Sequence, residues 1–184
     1  MGTYTFGSKS GTVTEDSSLA EYLNGEYYNS LNQTAKGQVQ IHMYNIGGIQ
    51  LGQSGSDSIT NNLRQEKAYQ WTGNIGLPNV TDVLRTGLDS SCSAVTSCVM
   101  PSTINYLLDD MSTNTSFWTM NGWTSESRTS SDGVWTVEKD RGGVFFVGYN
   151  AYGTTRSIRP VTYLKSTIAI MSGDGTKSNP YIIS

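Results

Sequence analysis

Apolar residues recur every four positions near the start of the chain, at Leu19, Leu23, Tyr27 and Leu31. This spacing places them on one face of a helix. Asp16 and Ser17 precede the stripe, and both are residue types that cap the start of a helix. A second cap-like residue, Asn32, predicts a shorter helical segment that runs through Val39. The segment from residue 16 to residue 41 is therefore predicted to be mainly helical, after a loose first strand at 1–14.

The middle of the chain gives weaker signals. Residues 44–60 alternate glycine with aliphatic side chains and predict a strand that ends in a loop. Residues 69–77 predict another strand, and Pro101 opens a predicted helix whose buried stripe extends to Met111. No Pro-rich or Ser-rich linker divides the chain, so we expect one domain.

From residue 116 the apolar period changes to two. Short strands are predicted at 116–120, 133–138 and 144–147, with a turn at 140–143, and a longer final strand is predicted at 158–164. Pro160 confines that strand to an edge or a bulge, because proline lacks the N–H of a ladder bond. Helices followed by a small antiparallel β-meander predict an α+β fold. The predicted core of this half consists of Trp118, Trp135, Val137, Phe146, Ile158 and Val161.

Small polar residues take the place of charged ones in this composition. Ser, Thr, Asn and Gly make up 79 of the 184 residues, and charged residues are 15%, against roughly 25% in an average soluble protein. An aromatic content of 10% argues against a disordered chain. No apolar run is long enough to span a membrane, and a net charge of −3 gives no electrostatic footprint for nucleic acid. This composition is typical of secreted globular proteins.

Cys92 and Cys98 are the two cysteines of the chain and enclose a short polar loop. A metal site usually needs about four ligands, and the single histidine, His42, is fifty residues before Cys92. A redox pair usually has the spacing C-x-x-C at the start of a helix. The favoured interpretation is a local disulfide, which implies an oxidising compartment, and free thiols are the second.

The sequence offers few candidates for catalysis. His42 lies in an ordinary structural segment, and there is no Gly-x-Ser-x-Gly motif, P-loop or dinucleotide fingerprint. Asp109 and Asp110 are adjacent, so their side chains would point apart on a helix. Asp174 lies between two glycines without the rest of a calcium-loop pattern, which predicts a plain turn. We therefore expect no enzymatic activity, no metal and no cofactor.

The final seventy residues contain a succession of motifs. They are Ser116-Phe117-Trp118-Thr119, Val134-Trp135-Thr136-Val137, Gly142-Gly143-Val144 and Ser157-Ile158-Arg159-Pro160-Val161. This order resembles the C-terminal half of C-type-lectin-like domains related to formylglycine-generating enzymes. The end of the chain, with Ser172-Gly173-Asp174-Gly175-Thr176 before Asn179-Pro180-Tyr181, is similar to that of surface proteins of Firmicutes and Mollicutes, many of them type IV pilin-like.

The resemblance implies a C-type-lectin-like domain over residues 15–184, preceded by a loose strand or an unrelated remnant at 1–14. It implies an extracellular ectodomain of a bacterial cell-surface or pilin-like protein with a structural and adhesive role. The expected partners are an unidentified protein or glycan ligand and other pilin-like subunits. A phage or secreted receptor-binding module is the alternative, and a formylglycine-generating-type enzyme ranks last. Residues 1–5 lack the features of a signal peptide, so the targeting segment is expected to be absent from this chain.

Two polar segments beside the predicted strands form the candidate ligand-binding surface. Residues 121–128 and 148–156 combine aromatic residues with asparagine, threonine and arginine. Such residues supply contact area and hydrogen bonds at a low cost in conformational entropy. The other interpretation is that both segments only cover the core. The candidate binding residues are Trp123, Arg128, Tyr149, Asn150, Tyr152 and Arg156.

Overall fold

The computed structural model describes residues 3–5, 17–49, 59–85, 115–122, 133–140, 143–150, 153–176 and 178–184, with the backbone alone at 3–5, 139–140 and 143–150. The architecture is mixed α+β, as predicted, with short helices and small sheets that are mostly antiparallel. Within those ranges, no helix is both long and apolar enough to cross a membrane. The finer assignment to a C-type-lectin-like fold stays a prediction.

The helix predicted near the start of the chain begins after Ser17. The Ser17 side chain accepts a hydrogen bond from the N–H of Ala20 at 3.3 Å, and Asn32 caps the next helix through the N–H of Ala35 at 2.8 Å. The segments are α1 (Ser18–Tyr22), a π-helical turn (Leu23–Tyr27), α2 (Tyr28–Ser30) and α3 (Gln33–Gln38). Both cap signals in the sequence are thus confirmed.

Two helices lie where the sequence analysis predicted none. α4 (Ile59–Glu66) begins in the segment interpreted as a strand and loop, and α5 (Val80–Arg85) follows the second predicted strand. Val80, Val83 and Leu84 of α5 are almost completely buried. Helices this short depend on tertiary packing, which local periodicity does not reveal. The described helices all precede the strands of residues 115–150, so the predicted order of helices first and meander afterwards is confirmed, although these two helices were not predicted.

The described strands form one five-stranded sheet and three two-stranded sheets. They are β1 (Thr3–Thr5), β2 (Val39–Gln40), β3 (His42–Asn45), β4 (Gln70–Gly73), β5 (Thr115–Gly122), β6 (Gly133–Asp140), β7 (Gly143–Asn150), β8 (Thr155–Ser157), β9 (Tyr163–Leu164), β10 (Ile170–Ser172) and β11 (Ile182–Ile183). The larger sheet has the order β1-β8-β5-β6-β7, and the small ones pair β2 with β9, β3 with β4, and β10 with β11. The antiparallel succession β5-β6-β7 confirms the predicted meander.

The described side chains of β5 and β6 are buried on both faces of these strands. Trp118 pairs with Thr136 and belongs with Val134 to the main apolar cluster. Trp135 and Val137 alternate with Val134 and Thr136 along β6. The side chains of Trp135 and Val137 therefore point to the face of the sheet opposite Trp118 and Val134. Of the predicted core residues, Trp118, Trp135, Val137 and Ile158 are buried, Val161 is half-buried, and the side chain of Phe146 lies outside the description. The expected shared face of Trp135 and Val137 is confirmed, but it is not the face of Trp118.

The predicted continuous strand over residues 158–164 is wrong. The chain forms β8, which ends at Ser157 in the larger sheet, and β9, which begins at Tyr163 and pairs with β2. Pro160 lies between them, and it has no N–H to donate and restricts the residue before it. Val161 makes an isolated antiparallel bridge to Gly76, with N–H···O distances of 2.9 and 3.0 Å. The chain thus crosses from one sheet to another at the proline.

A buried polar network joins α4, α5 and β5. The carboxyl group of Glu66 accepts hydrogen bonds from both the N–H and the hydroxyl of Thr81, in the first turn of α5. Asn121 accepts from the N–H of Val80 at 2.8 Å and donates to the C=O of Gly47 at 3.0 Å. These bonds satisfy N–H groups that have no partner within the helix. Side chains from two other elements therefore fix the start of α5.

The turn around Asp174 connects β10 with β11, as the sequence predicts. Asp174 Oδ1 accepts from the N–H of Thr176 at 3.0 Å, and this hydrogen bond lowers the pKa of the carboxyl group. Gly173 and Gly175 have φ angles of 93° and 80°. Residues with a side chain rarely adopt these angles, so glycine is required at both positions of the turn.

The predicted disulfide between Cys92 and Cys98 lies outside the described residues, as does the helix predicted at 101–111. In the absence of reductant, titration of the unfolded protein should find no free thiols. A Cys92→Ser/Cys98→Ser double variant should lose about 2 kcal/mol of stability in denaturant unfolding, because the unfolded chain is then no longer constrained by the loop. Two reactive thiols in the non-reduced protein would contradict the prediction.

Candidate functional site

The six residues predicted to bind ligand fall partly outside the described chain. Those outside it are Trp123, Arg128 and Tyr152. The backbone of Tyr149 pairs with Val134, and that of Asn150 pairs with Gly133, at the end of the sheet where β6 begins. β5 ends at the same place, since its last residue, Gly122, also pairs with Val134. The structure therefore brings Tyr149 and Asn150 to the end of the sheet from which the segment beginning at residue 123 departs.

Arg156 lies near the other end of this sheet. Its Nη2 atom is 3.5 Å from Glu138 Oε1, and Nη1 donates to the preceding carbonyl at 2.9 Å. Glu138 is five residues from Gly133 along β6, a distance of about 16 Å in an extended strand. The structure does not bring Arg156 together with Tyr149 and Asn150. The binding role of all six residues stays a prediction.

A cleft of about 230 Å³ opens beside β3 and α5. Its walls come from β3, the end of α4, the segment that enters α5, and β9 with the residues before it. The side chains that give it chemistry are His42, Tyr44, Lys67, Asp82, Arg85 and Tyr163. We call this site the polar cleft. It combines aromatic surface with charged groups from separate parts of the sequence.

Three aromatic rings form one wall of the polar cleft. The rings of His42 and Tyr163 are stacked, with centroids 3.4 Å apart and planes at 20°. Tyr44 meets both rings edge-on, at 5.4 Å from His42 and 5.6 Å from Tyr163. Tyr44 is buried, whereas the side chain of Tyr163 stays 47% exposed despite this stacking. The wall therefore presents a partly exposed tyrosine ring on a packed aromatic base.

Strand geometry and one close backbone approach fix this wall. Alternation along β3 puts His42 and Tyr44 on the same side of the strand. The pairing of β2 with β9 brings Tyr163 next to that side. At Gly76, a Cβ atom would lie 2.7 Å from the ring of Tyr44. The absence of a side chain at residue 76 therefore lets its backbone pair with Val161 directly over this ring.

The two tyrosines of the wall stay uncharged over the physiological pH range. Burial raises the pKa of Tyr44 to about 12, and the nearby Tyr163 adds to the effect. Burial, and then the carboxylate of Asp82, also raise the pKa of Tyr163. The Tyr44 hydroxyl lies 3.2 Å from the carbonyls of Asn74 and Val161, so it is a structural donor. The hydroxyl of Tyr163 has no hydrogen-bond partner within the described ranges.

Charged side chains line the rest of the polar cleft. Asp82 and Arg85 belong to α5, and Lys67 directly follows α4. Asp82 Oδ2 accepts from the N–H of Asn79 at 3.0 Å, a bond that caps the start of α5. Among the described residues, the side chains of Lys67 and Arg85 have no ion-pair or hydrogen-bond partner. The lining of the cleft therefore carries two cations and one carboxylate, and the carboxylate is already bonded to the backbone.

This combination of groups is suited to binding a small polar molecule. Ligand sites typically join aromatic or apolar walls with a few polar groups that fix the orientation of the ligand. In the part of the chain that the structure describes, no three or more His, Cys, Asp and Glu side chains are grouped closely enough to hold a metal ion. Recognition through stacking, hydrogen bonds and charge is the chemistry that these side chains can perform.

Sequence patterns alone do not reveal the polar cleft. They indicate a structural role for His42 and do not single out Lys67, Asp82, Arg85 or Tyr163. His42 and Tyr163 are 121 residues apart, so only the fold brings them together. The one local signal is the three-residue spacing from Asn79 to Asp82, which is typical of a helix start.

Comparison with other proteins does not identify this chain: no family model, curated protein or solved structure matches it. The resemblance of the last seventy residues to C-type-lectin-like domains therefore stays a prediction.

Proposed function

We propose that this protein is an adhesive, ligand-binding domain of a bacterial cell-surface or pilin-like protein, and that it binds its ligand in the polar cleft. The observation that carries the proposal is the partly exposed ring of Tyr163, stacked on His42 in a cleft that also contains two cations. Aromatic residues and arginine dominate the binding energy of protein surfaces. The abundance of small polar residues supports an extracellular location.

The scaffold around the polar cleft supports a binding role because it is already ordered. Tyr44 is packed beneath the wall and held by backbone carbonyls. α5, which carries Asp82 and Arg85, is fixed at its start by Glu66 and Asn121. The ring of Tyr163, which is already stacked on His42, therefore loses little conformational freedom when a ligand binds, so less of the contact energy is spent on ordering it.

A second candidate surface is the end of the larger sheet where Asn150 pairs with Gly133. One observation favours it: β5 ends and β6 begins there, so two predicted binding segments depart from one rigid edge. Such an edge would suit a protein ligand or a neighbouring pilin-like subunit. We give it second place because Arg156 lies with Glu138 near the other end of the sheet, whereas the residues of the polar cleft lie together.

A matched pair of exposed tyrosines tests the proposal. Tyr163→Ala should weaken binding of the protein to immobilised mucin about tenfold, because losing a stacked aromatic contact costs about 1–1.5 kcal/mol. Tyr181→Ala is the control, since Tyr181 is 54% exposed and lies outside the polar cleft. Surface plasmon resonance measures both affinities, and circular dichroism verifies that both variants fold. Equal binding by the two variants would contradict a role for the cleft.

A further inference from the structure

The size and charge of the polar cleft indicate the class of its ligand. We infer that the cleft binds one saccharide ring that carries a carboxylate, such as a uronic acid or sialic acid unit. This inference rests on the proposed function, because it names the ligand of the same site. Three features of the cleft support it: its volume, its aromatic wall and its surplus of cations.

The volume of the cleft favours a single ring. At about 230 Å³ it lies below the range of roughly 300–1,000 Å³ that is usual for sites of drug-sized ligands. A peptide segment with several side chains would need a longer groove. One pyranose ring, with the rest of a glycan chain in solvent, fits a small open cleft of this kind.

The aromatic wall favours a sugar over a simple anion. One face of a pyranose ring consists mainly of C–H groups, and such a face packs well against the ring of an aromatic side chain. Tyr163 supplies a partly exposed ring and a hydroxyl group, and the polar residue Asn79 also lines the cleft. A bare phosphate or sulfate ion would make no use of this apolar surface.

The charges of the cleft favour a carboxylate over a neutral sugar. Lys67 and Arg85 have no side-chain partner among the described residues, although the whole chain has a net charge of −3. A guanidinium group matches the two oxygens of a carboxylate with parallel N–H donors, and an ammonium group adds a point charge. The carboxylate of Asp82 repels an acidic ligand. Removing its charge should therefore strengthen binding, whereas removing the charge of Lys67 or Arg85 should weaken it.

The test uses acidic and neutral probes that differ mainly in charge. Isothermal titration of the full chain with trigalacturonate and with sialyllactose should detect binding. The methyl esters of trigalacturonate and of sialyllactose, their neutral counterparts, should bind at least tenfold more weakly. Higher salt should weaken only the acidic pair, because screening acts on the charge interaction.

Three charge variants identify the groups responsible. Arg85→Gln and Lys67→Gln should each weaken binding of the acidic probes about fivefold to tenfold, as expected for lost charge-assisted hydrogen bonds. Arg64→Gln is the matched control, because Arg64 lies on α4 outside the cleft and bonds to Asn61 at 2.7 Å. Asp82→Asn should strengthen acidic binding about twofold to threefold, a gain that damage to the fold would not produce.

The possible outcomes separate the two proposals. The carboxylate inference is overturned if acidic and neutral probes bind equally well and if Arg85→Gln and Lys67→Gln leave that binding unchanged. The proposal that the cleft binds the ligand still stands in that case, provided that Tyr163→Ala weakens binding. The inference is also overturned if the protein adheres to mucin through Tyr163 but binds neither of the two acidic probes. If Tyr163→Ala adheres to mucin as tightly as the unchanged protein, the proposed function fails and the inference fails with it.

Discussion

Trp135→Ala should lower the free energy of unfolding by about 3–5 kcal/mol, as is usual when a large buried aromatic side chain is removed. Trp135 is 2% exposed and lies in β6, at the centre of the meander. Its Nε1–H donates to the backbone carbonyl of Ile49 at 3.1 Å. Because Ile49 is completely buried, the substitution leaves a cavity and also removes the partner of a buried carbonyl. Urea unfolding followed by circular dichroism measures the change.

Two further variants separate packing from the hydrogen bond. Trp135→Phe keeps most of the apolar surface and loses the donor to Ile49, so it should cost about 1–2 kcal/mol. Tyr181→Ala, at an exposed site, should stay within about 0.5 kcal/mol of the unchanged protein. A Trp135→Ala variant that lost less than about 1 kcal/mol would contradict the packing of this strand.

The stability of the protein should fall as the pH rises from about 4.5 to about 7, because of Glu66. Burial is the main cause that raises the pKa of Glu66 from its ordinary 4.5 to about 7, partly offset by the hydrogen bonds from Thr81. Nearby, Asp82 raises the pKa further and Arg85 lowers it. Between the two pKa values the folded state holds a proton that the unfolded chain has released, so folding is favoured at low pH and loses this contribution as pH rises. The pKa difference corresponds to about 3 kcal/mol.

Glu66→Gln isolates this effect because the amide cannot ionise. Its oxygen can still accept from the N–H of Thr81, and its NH₂ group can donate to the Thr81 hydroxyl. The variant should be as stable as the unchanged protein near pH 4.5 and more stable by about 3 kcal/mol at pH 8. Glu26→Gln, at an exposed site in the π-helical turn, is the control and should leave the pH profile unchanged. Parallel pH profiles for Glu66→Gln and the unchanged protein would show that Glu66 does not titrate as a buried group.

Local signals in the sequence predicted those parts of the fold that local interactions determine. Ser17 and Asn32 cap helices because a single side chain and a nearby N–H suffice for the interaction. The alternation of Trp135 and Val137 predicted one strand face correctly, because the side-chain period of a strand is fixed by its geometry. The turn at Asp174 was also predictable, because its two glycines and the hydrogen bond of its carboxylate all lie within a few residues of one another.

Longer-range features were not predictable from these signals. α5 is stabilised by Glu66 and Asn121, which lie well before and after it in the sequence. The crossing at Pro160 depends on a bridge between Val161 and Gly76, residues that are 85 positions apart. The polar cleft joins His42 with Tyr163 and with α5, so it exists only in the folded chain. The spacing of residues along the sequence cannot show that these side chains form one site, because the pairing of the strands brings them together.

Hydroxyl-radical footprinting of the protein bound to mucin tests the central claim, that the polar cleft is the binding site. Tyr163 lines the cleft and is 47% exposed, whereas Tyr181 lies outside it at 54%. One experiment therefore contains a tyrosine on the site and a matched tyrosine away from it. Mass spectrometry should show that bound ligand protects Tyr163 from oxidation and leaves Tyr181 unchanged. Protection of Tyr181 with undiminished oxidation of Tyr163 would contradict the account.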